Sequence, residues 1–144
     1  MGSLTLHFDG LCEPRNPGGL ACYGWLIQRA GHTIAQGHGL AALNSTNNVG
    51  EYSALIAGLK GALDHGLAGQ GLEVYGDSQL VIRQMQGVYA VNAARIIPLH
   101  RHAQQLAIAV GVARWQWIPR DQNDAADQLS RIAYAEATQT AVTA

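Results

Sequence analysis

Ser45-Thr46-Asn47-Asn48-Val49-Gly50-Glu51-Tyr52-Ser53-Ala54-Leu55 is where the chain changes character. Upstream, apolar residues alternate as they do in strands. From Tyr52 onward, Leu55, Ile56, Leu59 and Leu63 recur at helical spacing. The small polar residues at its head suit a helix cap. A helix therefore runs over about 48–65 and stops at Gly66. Glu51 is the only acid in this opening. A carboxylate in a first helical turn is favourable to the helix dipole, which is its ordinary explanation. Its place beside a stripe that must be buried asks for a further one.

Upstream, Ser3 to Asp9 puts Leu4, Leu6 and Phe8 on one face and Thr5, His7 and Asp9 on the other, the period of a strand. Gly10 to Gly19, with Pro14, Asn16 and Pro17, reads as a turn. Residues 20–29 and 33–42 give two more strands around Gly31-His32, forming an antiparallel meander. Downstream, residues 72–76 form a strand, and a short helix begins at Asp77-Ser78 and reaches Gln86. An irregular segment leads to Pro98 and a helix from Leu99 to Val110. Residues 113–118 alternate as a fifth strand. Pro119 to Asn123 is a loop into a last helix over 124–137. The tail 138–144 has no apolar periodicity and is expected to be disordered. The order βββαβααβα predicts an α/β fold with a mixed sheet, and one domain over 1–137.

Composition narrows the class. The 144 residues are 48% hydrophobic and 13% charged, which excludes a disordered chain. No apolar run approaches a bilayer span, and the N-terminus lacks the pattern of a signal peptide. Cys12 and Cys22 are too few for a disulfide framework. The expectation is a soluble cytoplasmic protein with no membrane partner. The net charge of −1 advertises no nucleic-acid surface. If four of the ten acids were occupied by metal ions, however, nine basic side chains would face six acidic ones.

In mixed sheets of this kind sites lie at carboxyl ends of strands, near a switch in strand order. Asp9 ends the first strand, Asp77 ends the fourth, Glu51 opens a helix, and Asp121, Asp124 and Asp127 surround the start of the last one. The six histidines form no metal pattern. Trp115 and Trp117 share a strand face, which suits either core packing or base stacking.

Four of these stretches carry a resemblance. FDGLCEPRNPGG with Asp9, TNNVGEYSAL with Glu51, GDSQLV with Asp77 and QNDAADQL with Asp127 resemble, in order, the motifs of type 1 ribonuclease H. The likeness spans about Leu4 to Tyr134. It implies a five-stranded mixed sheet, the first three strands antiparallel, flanked by helices. It also implies a metal-dependent endonuclease that cuts the RNA strand of RNA–DNA hybrids, leaving 5′-phosphate and 3′-hydroxyl ends, and acting as a monomer without an obligate protein partner. Two Mg²⁺ ions, for which Mn²⁺ can substitute, would be held by Asp9, Glu51, Asp77 and Asp127, with Asp9 bridging both. Two such ions about 3.5–4 Å apart can clamp the attacking and leaving oxygens of a phosphodiester.

Spacing alone leaves the last acid open, because Asp124 and Asp127 share a helical face. The family pattern Asn-x-x-Ala-Asp-x-Leu falls on Asn123, Ala126, Asp127 and Leu129, and so implies Asp127. By the same carry-over Asn16, Asn47, Asn48 and Gln79 contact sugars and base edges, while Thr46 and Asn123 hold a DNA phosphate. Thr46, Asn47 and Asn123 equally suit helix caps. Two departures stand out. The loop WQWIPRDQNDAAD lacks the family's assisting histidine, leaving Arg120 or Asp121 as replacements, and residues 87–98 carry Arg95 alone where many members have a basic handle. Tyr89 falls where an aromatic side chain often meets a DNA sugar, or it simply covers the core. The competing readings are a silent hybrid-binding module and a different nuclease of the same fold.

Overall fold

Leu4, Leu6 and Phe8 are buried, as their alternation with Thr5 and His7 requires. In the computed structural model, which describes residues 3–143 and the side chains of 3–139, they belong to strand β1, Leu4–Glu13. β2 (Leu20–Arg29) and β3 (His32–Ala42) follow, then α1 (Asn47–Asp64), β4 (Glu73–Gly76), α2 (Gln79–Met85), α3 (Ile97–Val110), β5 (Arg114–Trp117) and α4 (Asp124–Thr143). A single 3₁₀ turn, Arg120–Gln122, leads into α4. The element order is the expected one.

The five strands form one sheet in the order β3-β2-β1-β4-β5. β1 pairs antiparallel with β2, and β2 with β3, whereas β1/β4 and β4/β5 are parallel. The chain thus folds back on itself for three strands and then needs helical crossovers, because parallel neighbours cannot be joined by a tight turn. α1 lies on one face, where Tyr52, Leu55 and Leu59 pack with Leu4, Leu6, Phe8, Trp25 and Ile27 in the main core. α4 covers the other face through smaller clusters, Leu26 with Ala126 and Leu129, and Leu11 and Cys22 with Ala133. Among the described residues no helix is long and apolar enough to cross a membrane.

Two boundaries differ from expectation. β1 does not stop at Asp9. Gly10 to Glu13 continue the ladder opposite Tyr23 to Leu20, so the turn shrinks to the residues between. Leu11 and Cys12 are buried there and keep the strand going. The last helix does not stop at 137 but runs to Thr143, where a disordered tail was expected. The segment continues the helix that the buried residues of α4 have already started, and extending a helix costs less than nucleating one. The Thr138 hydroxyl donates to the Tyr134 carbonyl at 2.9 Å, within the helix.

Candidate active site

The site begins where the parallel ladder ends. Its last pair is Phe8↔Gly76, so Asp9 and Asp77 are the next residues of neighbouring strands. There the two chains diverge. β1 continues against β2, with Asp9 opposite Gly24, while Asp77 leads into α2, whose N-cap Ser78 accepts from the Val81 N–H at 3.2 Å. Asp9 is therefore mid-strand, held on its β2 side by a full ladder.

Glu51 arrives through a close backbone approach. A Cβ built on Gly10 would lie 2.1 Å from the Gly50 carbonyl carbon and 2.2 Å from the Glu51 nitrogen. Only glycine at position 10 lets α1 lie directly on β1. Thr46 caps that helix, its hydroxyl accepting from Val49 N–H at 3.3 Å. Glu51 is the fifth residue of α1 and is buried, so the dipole of a first turn does not account for it. Gly24 does for α4 what Gly10 does for α1: its Cβ would sit 2.6 Å from the Ala126 carbonyl oxygen and the Ser130 nitrogen. The acids were visible as motif positions. The glycines that bring their backbones together were not singled out, although one directly follows Asp9 and one directly precedes Glu51.

Asp9, Glu51 and Asp77 each offer an oxygen, and these oxygens lie within 4.8 Å of one another. Among the described residues this is the one group of three or more potential metal ligands. Burial and the neighbouring charges oppose ionisation. The Asp9 carboxyl is pushed up to about 7, chiefly by burial and then by Asp77. Burial, Asp9 and Asp77 hold Glu51 well above the usual carboxylate range. Burial also raises Asp77, against the opposing effects of Asn123 and Arg120. The Gly10 N–H donates to Asp9 Oδ1 at 2.9 Å, but Glu51 Oε2 is buried without a hydrogen-bond partner. An orphaned carboxylate oxygen facing two more carboxylates is a poor arrangement for a protein alone. It suits a hard divalent cation, which prefers oxygen ligands.

Asp127 lies outside that trio but lines the same cleft, together with Asp9, Glu51, Asn47, Arg120 and Arg131. Its Oδ2 accepts from Arg131 Nε at 3.0 Å. Asp121 and Asp124 are exposed, and neither lines the cleft.

The remaining predicted residues divide. Asn16 is exposed, and its Oδ1 accepts from Asn47 N–H at 3.0 Å, tying the proline-rich turn to the head of α1. Thr46, Asn47 and Asn48 are half-buried around that same head, and Gln79 is exposed at the start of α2, beyond Asp77. Asn123 directly precedes α4. It is 1% exposed, and its amide donates to the Phe8 carbonyl at 2.9 Å and to Asp77 Oδ2 at 3.1 Å. Its amide thereby ties Asp77 to the end of β1. Trp115 packs against the core, whereas Trp117 is 36% exposed and donates its indole N–H to the Asp77 carbonyl at 3.1 Å. Tyr89 stands out at the surface.

Comparison with known proteins agrees with this geometry. The family model described as "Reverse transcriptase-like" matches residues 7–133. A bifunctional protein of Mycobacterium tuberculosis is 37% identical over 139 residues, 96% of this chain and 37% of that protein. The solved N-terminal RNase H domain of a protein from that organism, a fusion with maltose binding protein, superposes with a TM-score of 0.85 at 33% identity, covering 98% of this chain and 99% of the other. Ribonuclease HI of Halobacterium salinarum is 36% identical over 139 residues, 94% of this chain and 66% of the protein. LC11-RNase H1, solved in complex with an RNA/DNA hybrid, gives a TM-score of 0.87 at 31% identity, covering 94% of this chain and 99% of that one. The chain thus spans about a third of the mycobacterial relative and about two thirds of the halobacterial one.

Proposed function

Because the chain belongs to the reverse transcriptase-like family, among the type 1 ribonucleases H, we propose that it is a ribonuclease H that hydrolyses the RNA strand of RNA–DNA hybrids. The observation that carries this reading is the trio Asp9, Glu51 and Asp77, with its orphaned Glu51 oxygen, set at the end of the parallel ladder. The hybrid held by LC11-RNase H1 supports the choice of substrate.

Asp9, Glu51 and Asp77, with Asp127 as the fourth acid, would hold two Mg²⁺ ions, with Mn²⁺ as a substitute. Such ions would supply Lewis-acid activation of water and charge stabilisation at the departing 3′-oxygen, consistent with 5′-phosphate and 3′-hydroxyl products. The protein's own part is to hold acidic oxygens in one place. Asn123 fixes Asp77 by donating to it, and Trp117 fixes the backbone of the same residue. Asn47, which lines the cleft, together with Asn16, Thr46, Asn48 and Gln79 would contact the hybrid. Short amides both donate and accept, as discrimination between ribose and deoxyribose in two paired strands requires. Arg120 lines the cleft and is the better placed of the two replacements for the missing histidine. The protein would act as a monomer in the cytoplasm.

The test is cleavage of an end-labelled hybrid by the purified chain. Mg²⁺-dependent cuts within the RNA strand, abolished by EDTA and absent on DNA duplex, are expected. Binding of the hybrid without cleavage at any Mg²⁺ or Mn²⁺ concentration would reduce the protein to a silent binding module.

A further inference from the structure

Tyr52 directly follows Glu51 in α1, and its side chain is fully buried in the main core. A phenol in such a place needs a partner for its hydroxyl, because an unpaired buried hydroxyl is costly. The partner is Gln84, a buried residue of α2, whose Oε1 accepts from the Tyr52 hydroxyl at 2.7 Å. The rest of Gln84 is engaged as well. Its Nε2 donates to the Ala90 carbonyl at 3.2 Å, and its backbone carbonyl lies 3.3 Å from His100 Nε2. A carbonyl can only accept, so the amide nitrogen must face Ala90 and the amide oxygen must face the phenol.

Apolar side chains of similar size commonly replace a buried polar pair without loss of stability, so this pair points to placement rather than to filling. Its position supplies the reason. α2 is only seven residues long, and its N-cap Ser78 directly follows Asp77. The Tyr52–Gln84 hydrogen bond therefore joins the helix that carries one acid of the trio to the helix that begins beside another. α1 and α2 otherwise touch sparingly. The acids themselves push these elements apart, since carboxylates whose oxygens lie within 4.8 Å repel when ionised. Asn123 and Trp117 tie Asp77 to the loop before α4 and to β5, not to α1.

We propose that Gln84, through its hydrogen bond with Tyr52, is a positioning residue that sets the distance between Glu51 and Asp77 against the repulsion of their carboxylates. It acts through the backbones of α1 and α2. The proposal rests on the ribonuclease H reading above.

The test uses the full chain with Tyr52→Phe, with Gln84→Met and with both changes. Urea unfolding in EDTA reads stability, single-turnover cleavage and KM read the reaction on hybrid, and electron paramagnetic resonance reads Mn²⁺ bound without nucleic acid. Tyr52→Phe keeps the ring but leaves Gln84 Oε1 without its donor. It should lower the cleavage rate and the Mn²⁺ affinity by about tenfold each, the lower end of what losing an orienting partner of metal ligands costs. KM for hybrid should stay within about twofold, because no group that meets the hybrid has changed. Gln84→Met should act in the same direction. The double variant should regain most of the urea midpoint, since both partners are then apolar and the exposed Ala90 can turn its carbonyl to water. Its rate should nevertheless stay low, because the tie between the helices is still missing. A pair that only filled the core would recover both together. Recovery of the rate with the urea midpoint, or an unchanged rate in a folded Tyr52→Phe protein, overturns the proposal and leaves the ribonuclease H reading standing. A wild type that binds Mn²⁺ but leaves hybrid uncut overturns that reading instead. The positioning role is then judged by Mn²⁺ alone, and an unchanged affinity in Tyr52→Phe overturns it too. A wild type that neither binds Mn²⁺ nor cleaves hybrid overturns both.

Discussion

Asp9 and Glu51 are almost wholly enclosed at the middle of the sheet, each on a backbone pinned by its neighbours, and among the described residues neither forms an ion pair. Asp127 reaches the same cleft from the first turn of α4, partly exposed and tied to Arg131. The first region is built by close backbone approach, which fixes direction but leaves charge uncompensated. The second is built by a side-chain ion pair, which compensates charge but leaves direction adjustable. Carboxylates of the first kind suit a cation, because among the described residues none of them forms an ion pair. Those of the second kind can exchange partners.

The largest effect is expected from removing the charge at the centre of the first region. Asp9→Asn should lower hybrid cleavage by about 10³-fold or more, on the scale of losing a preorganised electrostatic group, measured under single-turnover conditions. The same change should stabilise the metal-free protein at high pH. The Asp9 carboxyl is raised from 3.8 to about 7 in the folded state, so folding favours its protonated form. The stability associated with it is present below pH 4 and is lost as pH rises through about 7. In EDTA, wild type should therefore melt lower at pH 8 than at pH 5, and Asp9→Asn should show a flatter profile. A cleaving Asp9→Asn protein, or a wild type that is more stable at pH 8 in EDTA, would contradict this account of the trio.

A second way to break the first region leaves every carboxylate in place. Gly10→Ala puts a Cβ within 2.2 Å of the α1 backbone, so the helix must move away from β1. The neighbours are backbone atoms and cannot turn aside. A loss of about 1–3 kcal/mol or more is expected from such overpacking, together with a rate reduced by about 10²-fold as Glu51 is displaced. Urea unfolding and cleavage by one preparation check both. Unchanged activity would mean that the close approach is not what positions Glu51.

The contrast between the regions also explains what could be foreseen from the residues. The strands were legible because Leu4, Leu6 and Phe8 alternate against a solid core, and α1 because Tyr52, Leu55 and Leu59 repeat with the helical period. Gly10 misled because a glycine after aspartate usually marks a turn. Here it marks contact between a strand and a helix, which depends on a residue forty positions away. The end of α4 was missed because periodicity detects a buried face, and that segment forms a helix without needing one. Asp9, Glu51 and Asp77 were legible as motif positions, and the structure brings their oxygens together. The inward direction of Asn123 was not, since its motif position does not reveal whether its amide faces Asp77 or the solvent. Arg131 carried no signal at all until its partner was known.

Removing the adjustable acid should cost less than removing a fixed one. Asp127→Asn keeps a ligand oxygen but loses the charge, and an effect of about 10–10²-fold at low Mg²⁺ is expected, below that of Asp9→Asn. High Mn²⁺ should recover part of it, because a more strongly bound cation depends less on the fourth ligand. Rates of this variant at several Mn²⁺ concentrations, set beside those of Asp9→Asn, sharpen the comparison directly. Equal, metal-insensitive losses in both would erase the distinction between the two regions.

The smallest effect is expected three residues away. Asp124 begins α4, is exposed and does not line the cleft. Its carboxylate faces the positive end of the helix dipole, an interaction worth about 0.3–1 kcal/mol at an exposed first turn. Asp124→Asn keeps a side chain that still suits a helix start, so even that contribution is only partly lost. Cleavage rates should stay within about twofold of wild type, since an exposed carboxylate outside the cleft is solvated by water and has no part in holding the acidic trio. The melting temperature should fall slightly, and less at high salt. Asp124 and Asp127 occupy the same turn of one helix, so they form a matched pair in which burial and the cleft are the variables. If Asp124→Asn is the inactive variant and Asp127→Asn is near normal, then the fourth acid has been assigned to the wrong residue, and the ion pair with Arg131 is only a surface contact of the helix.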